Sequence, residues 1–300
     1  MWFKNIHIYR FTKSFRHSSN KVEEFLATQE FTPCGNLDLF RFGWVPPLGS
    51  SGETLTHVTN GAIMLCAKRQ DKVLPAAVIN EHVEEMAQAI QEKENRKVYR
   101  KERTLLKEDV IQTLLPRAFT RSSLNFAYIA PKEGWIIINS ASAKRVEELL
   151  NLLRESMGSL TVIPPSPKHA PITLMTRWLK NGRPPKGFDL GDECEMVDPR
   201  DEGSVVRCKR QDLASEEIHA HLDAGKLVTK LALTWNNSIN FILDENLTLK
   251  RLRYEDELLD KLDEFEAETH AEQFDLEFSI MELELKALIE QILTSFGDGE

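Results

Sequence analysis

The tetrapeptide KRQD occurs twice in this chain, at Lys68–Asp71 and at Lys209–Asp212. Each copy follows a short apolar run that contains a cysteine, residues 63–66 in the first case and 205–208 in the second, and each precedes a segment of helix-like composition. A strand, a polar corner and a helix therefore follow one another in the same order at both places. Because self-similarity indicates a repeated structural unit, the sequence predicts an internally duplicated fold.

The segments that follow the two helices also correspond. In the first half, "LNFAYIA" and "WIIINSA" flank "PKEG", and in the second half "LVTKLALTW" and "INFILDE" flank "NNS". Apolar runs around polar turns are hairpin signals. Each half closes with apolar residues spaced three and four apart, which indicates one face of a helix. These two stripes are Val146, Leu149, Leu150, Leu153 and Met157, and Phe278, Met281, Leu285, Leu288 and Ile292. The predicted class is α+β, with duplicated strand-helix-hairpin units.

A long polar segment interrupts the first half. Residues 84–112 contain no proline or glycine, and the middle, "QEKENRKVYRKER", has only Val98 and Tyr99 as substantial apolar residues. A helix that is polar nearly all round cannot lie in a core, so we expect a projecting helical arm, made of one long helix or two. The predicted division is 1–76 and 117–165 for the first repeat, 77–116 for the arm, and 166–300 for the second repeat with an acidic helical end.

The apolar runs and the cysteines indicate the cellular compartment in which the protein is found. No apolar run approaches the roughly 20 residues that a membrane helix requires, and the first residues lack the apolar stretch of a signal peptide. The four cysteines, Cys34, Cys66, Cys194 and Cys208, show no CxxC spacing, and Cys66 and Cys208 lie in strand-like runs. Buried free thiols fit a reducing compartment, so we expect a cytoplasmic protein without a membrane partner.

The net charge of −9 is unevenly distributed. From residue 255 to 300, 16 acidic residues face two lysines, a balance of −14, whereas residues 1–254 carry 36 basic and 31 acidic groups, a balance of +5. Residues 93–121 alone hold nine basic and four acidic residues. A basic surface can therefore coexist with an acidic end that keeps the outside of the molecule negative. The alternative is that both charge runs are solvated helix faces.

The arm leads into "LLPRAFTRSS", where Pro116 is predicted to end the helix. Phe119 follows, between Arg117 and Arg121. In one arrangement Phe119 packs into the core and the arginines face water, as is usual for a single phenylalanine. In the other, Phe119 is an exposed wedge or stacking surface and the guanidinium groups bind phosphates. The sequence alone leaves both arrangements open.

The second KRQD corner offers another set of groups suited to a phosphate backbone. Lys209 and Arg210 supply two cations, and Gln211 can donate and accept hydrogen bonds. Asp212 is predicted to cap the following turn or helix, and Ser215 is the predicted N-cap of that helix. The alternative is a solvated loop with no ligand.

Stretches distributed in order through nearly the whole chain resemble the bacterial recombination-associated protein family RdgC. They are "WFKN", "FTPCG", "GWVPPLG", "LTHVTNGAI", "LLPRAF", "SAKRVEELLNLLRESMGSL", "KRQDLASEEI", "VTKLALTW" and "LKRLRY". The resemblance implies a non-catalytic, cofactor-free, nucleoid-associated protein that binds double-stranded and single-stranded DNA without sequence preference and restrains the recombinase RecA. It also implies a ring-shaped homodimer with a positively charged hole. It places Phe119 and the second KRQD corner at the DNA, and leaves open whether Lys68 and Arg69 touch it.

Two other classes of function remain open from the residues. A metal-dependent nuclease needs clustered carboxylates, which "GDECEMVDPRDE" supplies in a predicted loop, without a recognisable ligand spacing. A regulator that imitates DNA would use the acidic end, although the basic arm argues against it. For a dimer, the candidate interfaces are the stripe from Phe278 to Ile292 and the arm near Val98 and Tyr99, although such a stripe is more commonly a core face of its own chain.

Overall fold

The computed structural model describes residues 2–263 and 267–297. Over these residues the chain forms an α+β fold. The strands are β1 (Ile6–Phe11), β2 (Phe40–Val45), β3 (Thr56–Thr59), β4 (Ala62–Val73), β5 (Phe119–Ala130), β6 (Trp135–Asn139), β7 (Val162–Ile163), β8 (Phe188–Asp198), β9 (Asp201–Lys209), β10 (Leu227–Trp235), β11 (Ile239–Asp244) and β12 (Leu249–Tyr254). The helices are α1 (Ser19–Ala27), α2 (Ala76–Glu94), α3 (Arg100–Leu114), α4 (Ala143–Met157), α5 (Pro171–Asn181), α6 (Glu216–Asp223), α7 (Asp256–Asp263) and α8 (His270–Ser295).

The named strands form one twelve-stranded sheet. Its main path runs β2, β4, β5, β6, β1, β12, β11, β10, β8, β9, with β3 beside β4 and β7 beside β1. The first half of the chain therefore occupies one end of the sheet and the second half the other. They meet where β1 pairs with β12, and Ile6 lies opposite Leu249. Both predicted hairpins are confirmed, as the antiparallel pairs β5–β6 and β10–β11.

Buried side chains cover both faces of the first half of the sheet. Since successive residues of a strand point to opposite faces, Ile136 packs with α1 and α4, and Ile137 packs with α8. The buried cluster that contains Ile137 and the residues of α8 continues into the second half of the sheet, where Leu231 and Phe241 lie under α5, α6 and α8. The opposite face of the second half, with Thr234 and Asn240, lines an open groove.

The two predicted closing helices are confirmed as α4 and α8. Four residues of the α4 stripe are buried and Met157 is half-buried, and every residue of the α8 stripe is at most 1% exposed. The α8 stripe therefore belongs to the core of its own chain. The hypothesis that this stripe is a subunit interface is wrong, because the sheet already occupies that face. Residues 264–266 and 298–300 of the acidic end lie outside the described residues.

The first KRQD copy does not form a corner. Lys68–Asp71 lies inside β4, paired with β2 on one side and β5 on the other. Backbone hydrogen bonds to two neighbouring strands keep this polar tetrapeptide extended. The second copy starts at the last residue of β9, at the end of the sheet path. The two copies thus hold different positions in the sheet, and the tetrapeptide does not mark equivalent sites of a repeat.

The segment predicted to form a polar arm folds into two helices, α2 and α3, packed against each other. The chain turns after α2 at Asn95, which adopts the left-handed conformation with φ 50°. An ion pair between Glu84 and Arg103 joins the two helices. Between them lies a small cluster of buried residues, separate from the sheet clusters: Ile79, Val83, Ala87, Val98, Leu106 and Val110.

These helices are therefore less uniformly polar than predicted, because each supplies a narrow apolar stripe to the other. Val98 is only 9% exposed, so it is part of this small core and is not available as an interface residue. Tyr99, in contrast, is 71% exposed.

The acidic segment from 191 to 202 is a β-hairpin, and the prediction of a loop there is wrong. β8 continues to Asp198, and β9 begins at Asp201. Ion pairs hold three of its carboxylates: Glu193 with Arg251, Glu195 with Arg207 and Lys230, and Asp198 with Arg200. Within residues 2–263 and 267–297, no group of three or more His, Cys, Asp or Glu side chains is arranged to hold a metal ion.

The cysteines are free thiols, and Cys66, Cys194 and Cys208 are buried. The prediction that Cys66 and Cys208 lie in the core is confirmed. Burial raises the pKa of the Cys66 thiol to about 12, so this group stays protonated at neutral pH. None of the helices in the described part of the chain has the length and apolarity to span a bilayer.

Candidate nucleic-acid interface

Phe119 is the most exposed large apolar side chain in the described structure, at 86%. A 3₁₀ turn from Leu115 to Arg117, with Pro116 inside it, follows α3, and β5 begins at Phe119. Leu115 is buried and anchors this turn. Phe119 lies opposite Val73, itself 43% exposed, at the far end of β4. The arrangement in which Phe119 packs into the core is therefore wrong, and its ring faces solvent.

Arg117 and Arg121 are both exposed beside this ring. Phe119 and Arg121 are two residues apart on one strand, so they point to the same face of the sheet. No acidic side chain of the described residues forms an ion pair with either arginine. We call Arg117, Phe119 and Arg121 the Phe119 site. It combines an apolar ring exposed to solvent with two cations that can bind an external anion.

The second KRQD copy is a true corner at the end of β9. Arg210 adopts the left-handed conformation, with φ 54°, which turns the chain sharply. The backbone N–H of Gln211 then donates to the carbonyl of Asp192 at 3.2 Å. Lys209, Arg210 and Gln211 are all exposed, whereas Leu213 just beyond them is 2% exposed and anchors the corner.

The residues after the corner are structural, as predicted. The Asp212 carboxylate accepts a hydrogen bond from the backbone N–H of Ala214 at 2.9 Å, which closes the turn. Ser215 is the N-cap of α6, although its side chain makes no capping hydrogen bond. Glu216 and Glu217 occupy the first turn of α6, where the helix dipole favours negative charge.

A concave surface of about 1130 Å³ adjoins this corner, and we call it the second-half groove. Its floor is the open face of β8, β10, β11 and β12, and Lys209, Arg210 and Gln211 form part of its rim. Arg251 and Arg253 of β12 also line it, and both are exposed. Sequence reasoning did not assign these two arginines to the site. The alternating basic residues of "LKRLRY" are the signal that could have indicated them.

Ion pairs limit which cations of the groove are available. Two hydrogen bonds, at 3.2 and 2.8 Å, tie the guanidinium of Arg251 to the carboxylate of Glu193. Burial raises the pKa of Glu195, but hydrogen bonds from Lys230 and Arg207 lower it by more, so the net shift is downward and this carboxylate stays charged. Among the described residues, Lys209, Arg210 and Arg253 have no such acidic partner. They are the groove cations best placed for an external anion.

The first KRQD copy is committed to contacts within the chain. Arg69 stacks on the ring of Phe40 at 4.1 Å, and its guanidinium binds Asp71 at 2.9 Å and Glu148 at 3.2 Å. The ammonium of Lys68 lies 4.7 Å from the ring centre of Phe31. These contacts engage the cations of both Lys68 and Arg69 within the chain.

The Phe119 site and the second KRQD corner do not touch each other. They lie on β5 and at the end of β9, seven strand spacings apart along the sheet path. At about 4.8 Å per strand, the path across the sheet between these two strands is roughly 34 Å, and Phe119 lies beyond the part of β5 that pairs with β6. One small molecule cannot contact both, whereas an extended polymer can.

These features define an α+β protein whose candidate site is an open surface with exposed cations in both halves of one sheet. The chain belongs to the RdgC family, since the family model described as "Putative exonuclease, RdgC" matches residues 1–299. The resemblance found in the sequence is thereby confirmed.

Curated relatives cover the chain from end to end. A protein of Tolumonas auensis is 41% identical over 99% of this chain and 98% of its own length. One of Aeromonas hydrophila is 42% identical over 100% of this chain and 99% of its own length. One of Pseudomonas putida is also 42% identical, over 100% of this chain and 98% of its own length. Each of the three bears the name "Recombination-associated protein RdgC".

Proposed function

We propose that this protein binds DNA without sequence preference and without catalysis, and that it limits recombination by occupying DNA that RecA would otherwise use. The observation that carries the proposal is the Phe119 site, an 86% exposed ring between two exposed arginines that have no acidic partner in the described structure. An exposed ring beside two available cations combines a surface on which bases can stack with groups that bind phosphates, which favours a role in binding nucleic acid.

Sequence-independent binding follows from the chemistry of the available groups. Arginine and lysine side chains directed at phosphates release condensed counterions, whatever the bases are. Arg117, Arg121, Lys209 and Arg210 are the cations proposed for this contact, with Gln211 as a hydrogen-bonding partner of the backbone. The ring of Phe119 adds a stacking or wedging contact, which every base offers equally through its π-face. This chemistry suits double-stranded DNA and also single-stranded DNA.

The spacing of the two sites supports a duplex as the main ligand. Sites on strands seven spacings apart can both be contacted by one extended duplex. Cations at both sites can then meet phosphates of the same DNA molecule. The acidic residues concentrated after position 255 would repel DNA from other directions.

We further propose that two copies form a ring-shaped homodimer around the duplex. A two-fold assembly can turn the Phe119 sites and second KRQD corners of both subunits inward, with interfaces made by the same patch on each. The tip of the α2–α3 hairpin, with Tyr99 at 71% exposure, is the proposed contact between subunits. A protein that encloses DNA at the chromosome would be nucleoid-associated. It would restrain RecA by occupancy, for which no catalytic group is needed.

A metal-dependent nuclease is the second candidate, because the matching family model is described as "Putative exonuclease, RdgC". A gel shift on linear duplex, with and without magnesium, separates the two when the length of the DNA is then measured. Retardation of intact DNA in both conditions supports the proposed binder. Shortening of the DNA with magnesium would establish the nuclease, and the absence of any interaction with DNA would remove both.

A further inference from the structure

A second concavity, of about 690 Å³, lies where β6 leads into α4, and we call it the basic cavity. Lys4 and Arg145 line it, together with hydroxyl and amide groups from Asn125, Asn139, Ser140 and Ser142. No aspartate or glutamate of the described residues is part of its lining. Neither Lys4 nor Arg145 has a carboxylate partner there, and both are exposed. The cavity therefore presents positive charge and hydrogen-bond donors.

The N-terminus of α4 adds to this character. Ser142 is the N-cap, its side chain makes no capping hydrogen bond, and the first turn contains no acidic residue. The first N–H groups of a helix have no partner within the helix, and they carry the positive end of its dipole. A helix start of this kind, beside two cations, is suited to bind an anion.

Asn125 gives an independent indication of a ligand. It lines the same cavity and is only 4% exposed, yet its amide nitrogen has no hydrogen-bond partner in the described structure. Buried polar groups in folded proteins are almost always paired. A donor left unpaired beside a cation-lined cavity favours an acceptor from outside the chain.

We propose that the basic cavity binds a phosphoryl group, and that the group is a phosphodiester of the DNA backbone. Arg145 and Lys4 would supply the charge, and the α4 N-terminus and the Asn125 amide would supply hydrogen bonds. The choice of a phosphodiester rests on the proposed function. It is favoured by position, because Asn5 lines this cavity and bonds to Arg251, which lines the second-half groove. The cavity thus continues the surface that the DNA would follow.

The test compares wild type with a variant carrying Lys4→Gln and Arg145→Gln. Each lost phosphate contact lowers the slope of log affinity against log salt by about 0.9, so the variant should bind duplex with a slope flatter by up to about 1.8. A variant with Arg177→Gln and Lys180→Gln is the matched control. It makes the same change of charge on α5, whose Leu174 and Trp178 pack against the sheet face opposite the groove. Its slope should equal that of wild type.

A second measurement uses inorganic phosphate and requires no DNA. The melting temperature is measured in phosphate and in chloride at equal ionic strength, for wild type and both variants. Because phosphate stabilises folded proteins in general, the informative quantity is the extra stabilisation of wild type over the Lys4/Arg145 variant. We expect this extra stabilisation in wild type and in the Arg177/Lys180 control.

The salt-dependence measurement and the phosphate measurement together distinguish a failure of this inference from a failure of the proposed function. A flatter slope together with loss of the phosphate effect supports the inference. If the Lys4/Arg145 variant keeps the wild-type slope but has lost the phosphate effect, the phosphodiester assignment is wrong and the ligand is a free anion. If the variant changes neither the slope nor the phosphate effect, the cavity does not bind a phosphoryl group. If wild type fails to bind duplex at all, the proposed function and the phosphodiester assignment fail together, and the phosphate measurement alone then decides whether the cavity takes a phosphoryl group.

Discussion

The side-chain oxygen of Asn5 accepts a hydrogen bond from the backbone N–H of Arg251 at 3.1 Å, although the two residues are 246 positions apart in the chain. This bond joins the residue before β1 to β12, where the two halves of the sheet meet. Asn5 lines the basic cavity, and Arg251 lines the second-half groove. The two concavities are therefore neighbours across this bond. One ligand can follow both, and this continuity relates cations in distant parts of the sequence.

Replacing Phe119 by alanine should weaken duplex binding and leave folding unchanged. Stacking of an aromatic side chain on a base contributes about 1–3 kcal/mol, so an affinity loss in this range is expected. The salt dependence should stay constant, because the lost contact carries no charge. Fluorescence anisotropy at several salt concentrations measures both quantities.

Leu283→Ala is the matched control for Phe119→Ala, since Leu283 is a 55% exposed apolar residue on α8. It should leave DNA affinity at the wild-type value. If Phe119→Ala lowers the melting temperature and keeps full affinity, the ring has a structural role and its assignment to the interface is wrong.

The two KRQD copies should respond differently to the loss of positive charge. Replacing Lys209 and Arg210 by glutamate should reduce affinity equally on unrelated DNA sequences and leave the melting temperature nearly unchanged. Arg69→Gln should leave affinity intact but destabilise the fold by about 1 kcal/mol, since it removes a cation–π contact and two partly exposed ion pairs. Thermal melts and gel shifts on three sequences measure these outcomes. A loss confined to one DNA sequence would contradict backbone recognition.

This difference between the two copies also shows what the sequence could and could not predict. The hairpin β10–β11 follows from apolar runs around "NNS", which local chemistry determines. The first KRQD copy stays extended because β2 and β5 pair with it from both sides, and Phe31 and Phe40 cover its cations. Those contacts come from distant parts of the chain, so no local pattern reveals them.

The candidate site was predictable to a similar degree. The flanking arginines and the broken helix indicated Phe119, but its exposure depends on the strand pairing that places it beyond the core. Arg251 was missed because its place in the groove depends on a left-handed residue within β12 and on the position of β12 beside β1. Asn125 and Arg145 come together only when β5 and α4 are packed.

Glu282 should make the stability of the fold depend on pH. Burial raises the pKa of this carboxyl on α8, and the nearby Glu133 raises it further. The folded protein therefore holds this proton more tightly than the unfolded chain does. Its contribution to stability is full below the ordinary pKa of 4.5 and is lost as pH rises through the higher folded value. Glu282→Gln, which resembles the protonated form, should raise the melting temperature at pH 8 more than at pH 4.5. An equal change at both pH values would contradict the raised pKa.

Enclosure of DNA by a dimer predicts that affinity and oligomeric state change together. Tyr99→Asp with Leu105→Lys alters two exposed arm residues, at 71% and 61% exposure, and leaves the buried cluster of the hairpin intact. Tyr99 is the N-cap of α3, a position to which aspartate is well suited. Light scattering and anisotropy on the same samples should show a monomer with weaker duplex binding. A folded monomer that binds as tightly as wild type would show that enclosure is not how DNA is held.

The most direct test of the central claim, that one DNA surface spans both halves of the sheet, is the salt dependence of duplex affinity in three variants. The first variant replaces Arg117 and Arg121 by alanine, and the second replaces Lys209 and Arg210 by alanine. The third combines all four changes. Each pair should flatten the slope of log affinity against log salt by up to about 1.8, and the combination by up to about 3.6. The effects should add, because sites that do not touch each other act independently. Folded variants whose slopes all equal that of wild type would contradict the account.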